Sequence, residues 1–199
     1  MSKSKPTRIL FALTGSIACF KACTLVSRLV QNGFEVQCAV TDSALQFVGE
    51  ATLEGLTGNP IFKNVYENSR MMDHIHLSKW ADAMIVCPAT ANMINKLATG
   101  LGDDPVSTLA LAHDFQKPLW IVPAMNQNMF SHPATQQSLK TLKSWGARVI
   151  DTDNGHQACG DVGPGRMKEP EQIYSLIMQW NLMKSGSGPS PLVTSEVEV

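Results

Sequence analysis

Arg8-Ile9-Leu10-Phe11-Ala12-Leu13-Thr14-Gly15-Ser16-Ile17-Ala18 decides the fold: an apolar run, a turn of small residues, then the start of a helical pattern. Residues 8–13 show no polar alternation, as a strand covered on both faces requires. Thr14-Gly15-Ser16 reads as a tight turn into an amphipathic helix ending near Gly33. This β-turn-α unit repeats along the chain.

Phe34 to Val40 gives a second strand, and Thr41-Asp42-Ser43 reads as a cap for a helix over Ala44 to Val48. Helices are expected around Leu53, from His76 to Ala81, from Ala91 to Ala98, from Pro105 to Ala112 and from Pro133 to Trp145. Strands are expected at Ala83–Cys87, Leu119–Val122 and Arg148–Ile150. The alternation predicts an α/β fold, a Rossmann-like three-layer sandwich in which a parallel sheet carries helices on both faces. From Asp151 to Met167 the periodicity stops, and four glycines mark an expected mobile lid. A last helix follows Glu169, giving one domain over residues 1–184. The Ser-, Gly- and Pro-rich residues 185–199 are expected to be a disordered tail.

Lys and Arg number 16 against 17 Asp and Glu, with no basic stripe, which argues against a nucleic-acid partner. Apolar residues make up 44% of the chain but fall in short blocks, none near the roughly 18 that a membrane span needs. Ser16-Ile17-Ala18-Cys19 faintly resembles a lipoprotein cleavage site, but the preceding apolar run is short and the helical pattern continues past Cys19. The five cysteines lack disulfide-framework or zinc spacing, so a reducing, cytoplasmic setting is expected and no metal site.

In an open α/β sheet, ligands bind beyond the carboxyl ends of the strands. Gly15 and Ser16 place free N–H groups and a hydroxyl at a helix start, where the dipole favours phosphate. The Gly-x-Gly-x-x-Gly of dinucleotide sites is missing, so a mononucleotide is favoured, although Asp42 offers an acidic group for a ribose. Thr41 and Ser43 offer two more hydroxyls; all of these also read as ordinary caps. Cys87-Pro88-Ala89-Thr90-Ala91-Asn92 has small residues that let a flat ring approach the backbone. The fourth strand-end turn, Pro123 to Phe130, holds Asn126, Asn128, Met125 and Met129 without periodicity.

Five blocks together resemble the homo-oligomeric flavin-containing cysteine decarboxylases, in particular their phosphopantothenoylcysteine decarboxylase branch. They are Thr14 to Ala18, His74 to Asp82, Pro88 to Asn92, Pro123 to Asn126, and Ala158-Cys159-Gly160-Asp161 running on to Gly163, Gly165, Arg166 and Met167. The last is the most specific. Phe130 departs from the Trp or Tyr of many relatives but keeps an aromatic ring.

The resemblance implies a flavoprotein fold, FMN as cofactor and decarboxylation of 4′-phosphopantothenoylcysteine to 4′-phosphopantetheine. FMN would accept and later return two electrons, because direct loss of carbon dioxide would leave an unstabilised carbanion. It implies FMN contacts from Gly15, Ser16, Ile17, Thr41, Ser43, Pro88, Ala89, Thr90, Asn92 and Ser107. His74 would act as a base or electrostatic partner near flavin and thiol. Asn126, with Met129 beside it, would hold the substrate carboxylate or amide, and Cys159 would be the acid completing reduction. Ala158, Arg166, Met167 and Lys168 would also meet substrate; charge alone makes Arg166 and Lys168 the candidates for its phosphate. A trimer, or a dodecamer of trimers, is the expected assembly, with the ligase step supplied by another polypeptide or a missing half. A peptidyl-cysteine decarboxylase, a flavin prenyltransferase and a non-catalytic regulatory flavoprotein are the alternatives.

Overall fold

The computed structural model describes residues 5–68, 70–158 and 160–184. In chain order its elements are β1 (Arg8–Leu13), α1 (Cys19–Gln31), β2 (Glu35–Val40), α2 (Glu50–Thr57), α3 (Asp73–Trp80), β3 (Ala83–Ala89), α4 (Ala91–Thr99) and α5 (Pro105–Leu111). Then follow β4 (Leu119–Pro123), α6 (Gln127–Ser131), α7 (Pro133–Ser144), β5 (Arg148–Val149), β6 (Asp153–His156), β7 (Val162–Arg166) and α8 (Pro170–Lys184). Among the described residues β1 to β5 form one parallel sheet in the order β2-β1-β3-β4-β5.

Successive side chains of a strand face opposite sides, and the sheet divides its apolar residues accordingly. Ile9, Phe11 and Leu13 of β1, Ile85 and Cys87 of β3, and Trp120 and Val122 of β4 pack with α1, α2 and α8. Leu10, Ala12, Met84, Val86, Leu119 and Ile121 pack on the other side with α4, α5 and α7. β3 and β4 are buried along their whole length, which explains their unbroken apolar sequence. Each large side chain removed from water here contributes about 1.5–3 kcal/mol.

Two expectations change. The helix expected over Ala44 to Val48 is a single 3-10 turn, Ala44–Gln46, because Gly49 takes an extended conformation and restarts the chain as the N-cap of α2. The lid expected over Asp151 to Met167 contains an antiparallel ribbon, β6 with β7, whose glycine-rich strands carry no apolar alternation to announce them. Residues 185–199, Ser69 and Cys159 lie outside the described residues.

α3 is secured at its C-terminal end by one lysine. Lys117 Nζ donates to the carbonyls of Ser78, Lys79 and Ala81 at 3.0, 2.8 and 2.7 Å, satisfying groups that a helix end leaves open. Lys117→Met should lower stability by about 2 kcal/mol, read as a shift in the urea midpoint. An unchanged midpoint would show that water replaces the ammonium without loss.

Candidate active site

The order β2-β1-β3 sends the chain to α1 on one face after β1 and to α4 on the other after β3, which opens a crevice at their carboxyl ends. Three loops meet there. Thr14 Oγ1 donates to Pro88 O at 2.6 Å and accepts from the Thr90 N–H at 3.0 Å. Gly15 lies against the β2 loop so closely that a Cβ would fall 2.6 Å from both Cβ and Oγ of Ser43. The Thr41 and Ser43 hydroxyls stand 3.0 Å apart. Thr90 Oγ1 caps α4 by accepting from Met93 N, and Thr41 Oγ1 accepts from Ala44 N. Ahead of α1, the Ala18 N–H turns to Ser16 Oγ and the Cys19 N–H to Ser16 O. Among the described residues, the N–H groups of Gly15, Ser16 and Ile17 have no acceptor. This is the donor cluster that an anion completes at a helix start.

The fourth loop carries the ribbon. Met125 N donates to Gly165 O at 2.9 Å, and Gly165 N donates to Thr152 Oγ1 at 3.2 Å. Gly165 has φ +107°, and a Cβ on it would lie 2.6 Å from Met125 O, so this close approach admits only glycine. Asn126 Nδ2 donates to Asp161 Oδ2 at 2.8 Å while Asn126 Oδ1 accepts from Asn128 N and caps α6. Gln157 Oε1 accepts from Gln127 N, and Gln157 Nε2 donates to Pro164 O. The tips of the ribbon are thus tied to the loop that follows β4.

Between the start of α1, residues 124–126 and the ribbon lies a cavity of about 530 Å³. Ser16, Ile17, Asn126, Ala158, Arg166 and Met167 of the expected set line it. Phe20, Lys21, His156 and Gln157 line it too, and sequence reasoning missed them. Phe20 is 63% exposed on the amphipathic α1, and that outward apolar ring was the available signal.

Lys21 Nζ and Arg166 Nη2 both bond Glu169 Oε1, each at 2.7 Å. The Lys21 hydrogen bond holds the Glu169 carboxyl below the usual glutamate range, against the opposing effect of desolvation. A carboxyl lowered by folding stabilises the native state fully above the ordinary glutamate pKa of about 4.3 and loses that contribution as pH falls through the lower folded value. The urea midpoints of the wild-type protein and Glu169→Gln should therefore differ at neutral pH and converge below about pH 4. A gap that persists undiminished into acid would contradict the linkage.

The remaining expected residues lie elsewhere. Gly15, Thr41 and Ser43 lie in the loops after β1 and β2, Pro88 and Ala89 end β3, Thr90 caps α4, and Asn92 is exposed in the first turn of α4. Ser107 is fully buried in α5, where its hydroxyl completes a capping box with Asp104. Met129 is half-exposed on α6 and does not line the cavity. Lys168 is paired with Asp153 at 3.0 Å, away from the lining, so the second cation at the cavity is Lys21. His74 sits in the first turn of α3, outside the lining, with Nδ1 buried and no hydrogen-bond partner among the described residues. Burial pushes the thiols of Cys19, Cys38 and Cys87 up, Cys38 to about 12, so they remain protonated packing groups.

Residues 1–182 match the Flavoprotein family. The chain belongs to that family. Over 190 residues it is 40% identical to the coenzyme A biosynthesis bifunctional protein CoaBC of Vibrio vulnificus, covering 94% of this chain and 47% of the relative. It is 42% identical over 170 residues to CoaBC of Bacillus subtilis, covering 84% and 41%. This Flavoprotein-family chain thus spans about half the length of the curated relatives it matches. Among solved structures it is similar to a cysteine-to-serine mutant of PPC decarboxylase complexed with pantothenoylaminoethenethiol, at 32% identity and TM-score 0.82, covering 88% of this chain and 98% of that one. It is also similar to the FMN binding protein AtHal3, at 33% identity and TM-score 0.79, covering 88% and 97%. The parallel sheet flanked by helices is the fold of these proteins. No helix among the described residues is long and apolar enough to cross a membrane.

Proposed function

We propose that residues 1–184 form one FMN-binding domain that decarboxylates 4′-phosphopantothenoylcysteine to 4′-phosphopantetheine, a step of coenzyme A biosynthesis. The observation that carries this reading is the likeness to a PPC decarboxylase along 98% of that chain, with a cavity at the carboxyl ends of the strands lined by residues from three of the five sequence blocks. The residues present suit FMN. The unpartnered N–H groups of Gly15, Ser16 and Ile17 would hold its phosphate, with Ser43 against Gly15 closing the cradle. Pro88, Ala89 and Thr90 would border the ring, joined to that cradle through Thr14. When bound, FMN supplies a reversible two-electron acceptor, the sink that loss of carbon dioxide from a cysteine carboxylate demands.

The chain's own groups do the rest. Asn126, whose carboxamide is oriented by Asp161 and Asn128, would align the substrate carboxylate without neutralising it. The ribbon would cover the cysteine end and exclude water. Cys159, between Ala158 and Gly160, would donate the proton that completes the product. His74 would exchange a proton with the substrate thiol. Since His74 lies outside the cavity of its own chain, this role is best served in a trimer, or a dodecamer of trimers, where a second copy brings α3 to the cavity.

The test is to incubate the purified protein with FMN and 4′-phosphopantothenoylcysteine and identify products by mass spectrometry. 4′-Phosphopantetheine is expected from the wild-type protein. Cys159→Ser should accumulate the ethenethiol form, two hydrogens lighter. An intact substrate in the presence of bound FMN would sink the proposal.

A further inference from the structure

We propose that Lys21 and Arg166 form the subsite for a phosphomonoester at the end of the substrate opposite its cysteine, an assignment that rests on the function proposed above. Both side chains line the cavity, and both bond one oxygen, Glu169 Oε1, at 2.7 Å. Their head groups therefore stand no farther apart than twice that distance, a spacing that the oxygens of one phosphate can bridge. Two cations against a single carboxylate leave one positive charge uncompensated at the wall. The nearby acids Asp153 and Glu171 do not cancel it: Asp153 pairs with Lys168 at 3.0 Å and Glu171 with Arg28 at 3.3 Å.

The pair is held in place from several sides. The Lys21 side chain is only 15% exposed, an unusual position for an ammonium that has to share its counter-ion. Arg166 lies across the ribbon over Gly155, where a Cβ would fall 2.9 Å from Nη1, so glycine there makes room for the guanidinium. Glu169, immediately before α8, bonds both cations and fixes their common direction.

A second phosphate site is needed only if the cofactor's phosphate is bound elsewhere, and the fold provides that separation. The free N–H groups at Gly15 to Ile17 abut the Ser43 loop, whereas Lys21, one turn further along α1, reaches toward Glu169 and the ribbon. The cavity wall thus offers one anion site beside the β2 loop and another beside the ribbon that would cover the substrate. A substrate lacking a phosphomonoester leaves the second one empty, so the pair sets specificity.

The experiment compares kcat/KM of the FMN-loaded wild-type protein, Lys21→Met and Arg166→Met on 4′-phosphopantothenoylcysteine and on its dephosphorylated counterpart. The wild-type preference for the phosphorylated substrate should fall about 10–100-fold in each variant, in KM more than in kcat. Lys21→Arg should retain most of it. Arg166→Met carries the same readout should Lys21→Met fail to fold. A preference retained in both variants overturns the assignment. So does weakened FMN binding with preference unchanged, which would give the pair to the cofactor's phosphate. A wild-type protein that binds FMN and turns over neither substrate overturns the proposed function, and this assignment with it.

Discussion

Gly15→Asp is the wrong probe of the cofactor cradle because it adds charge as well as bulk; Gly15→Ala should by itself weaken FMN binding about 10–100-fold while the chain still folds. The added methyl would lie 2.6 Å from Ser43 Cβ and Oγ and 3.1 Å from the Ser43 carbonyl carbon, so the β1 and β2 loops must separate. Overpacking of this kind costs about 1–3 kcal/mol, and each 1.4 kcal/mol withdrawn from binding is about tenfold in affinity. The sheet below is unaffected, since Leu13 and Val40 keep their parallel pairing and their burial. Fluorescence titration with FMN measures the loss, and thermal melting of the apoprotein checks the fold. Wild-type affinity in Gly15→Ala would mean that the loops open without cost and that the cradle is not where FMN sits.

Asn126→Asp should lower kcat/KM about 100-fold or more at neutral pH, again without unfolding the chain. Aspartate caps a helix as well as asparagine does, so α6 keeps its start. What is lost is the donor to Asp161 Oδ2 at 2.8 Å, replaced by a second carboxylate that repels the first. The ribbon then stands off from the loop after β4, and the alignment expected of residue 126 goes with it. Two carboxyls so close raise the pKa of one of them, so part of the activity should return on acidification toward about pH 5. Asn126→Ala removes the attraction without adding repulsion and should show no such recovery. A pH profile of Asn126→Asp parallel to that of the wild-type protein would separate residue 126 from the ribbon.

The alternation of strand and helix was legible because each strand of the central sheet is covered on both faces and therefore reads as an apolar block, as Ala83 to Cys87 does. The donor cluster before α1 was legible too, since Gly15 and Ser16 lie in one local turn. The ribbon was not. Its pairing of Asp153 with Arg166 and Gly155 with Gly163 leaves no alternation of apolar side chains, and its docking depends on backbone groups such as Met125 N and Gly165 O that sequence does not display. Lys21 was passed over for a related reason: on α1 it reads as a solvated helix position, and its carboxylate partner is 148 residues away. Lys168 showed the reverse, a cation in a telling motif whose charge is already met by Asp153.

The sequence was enough for the layered α/β architecture, because local periodicity is a property of neighbouring residues, and its five motif blocks were enough for the family resemblance. Only the tertiary structure decided which of those residues share a cavity, that Lys21 and Arg166 divide one glutamate oxygen, and that His74 stands outside the pocket lined by Asn126. Those relations join groups far apart along the chain, and their energies depend on distance and burial, which exist only once the sheet has brought the loops together.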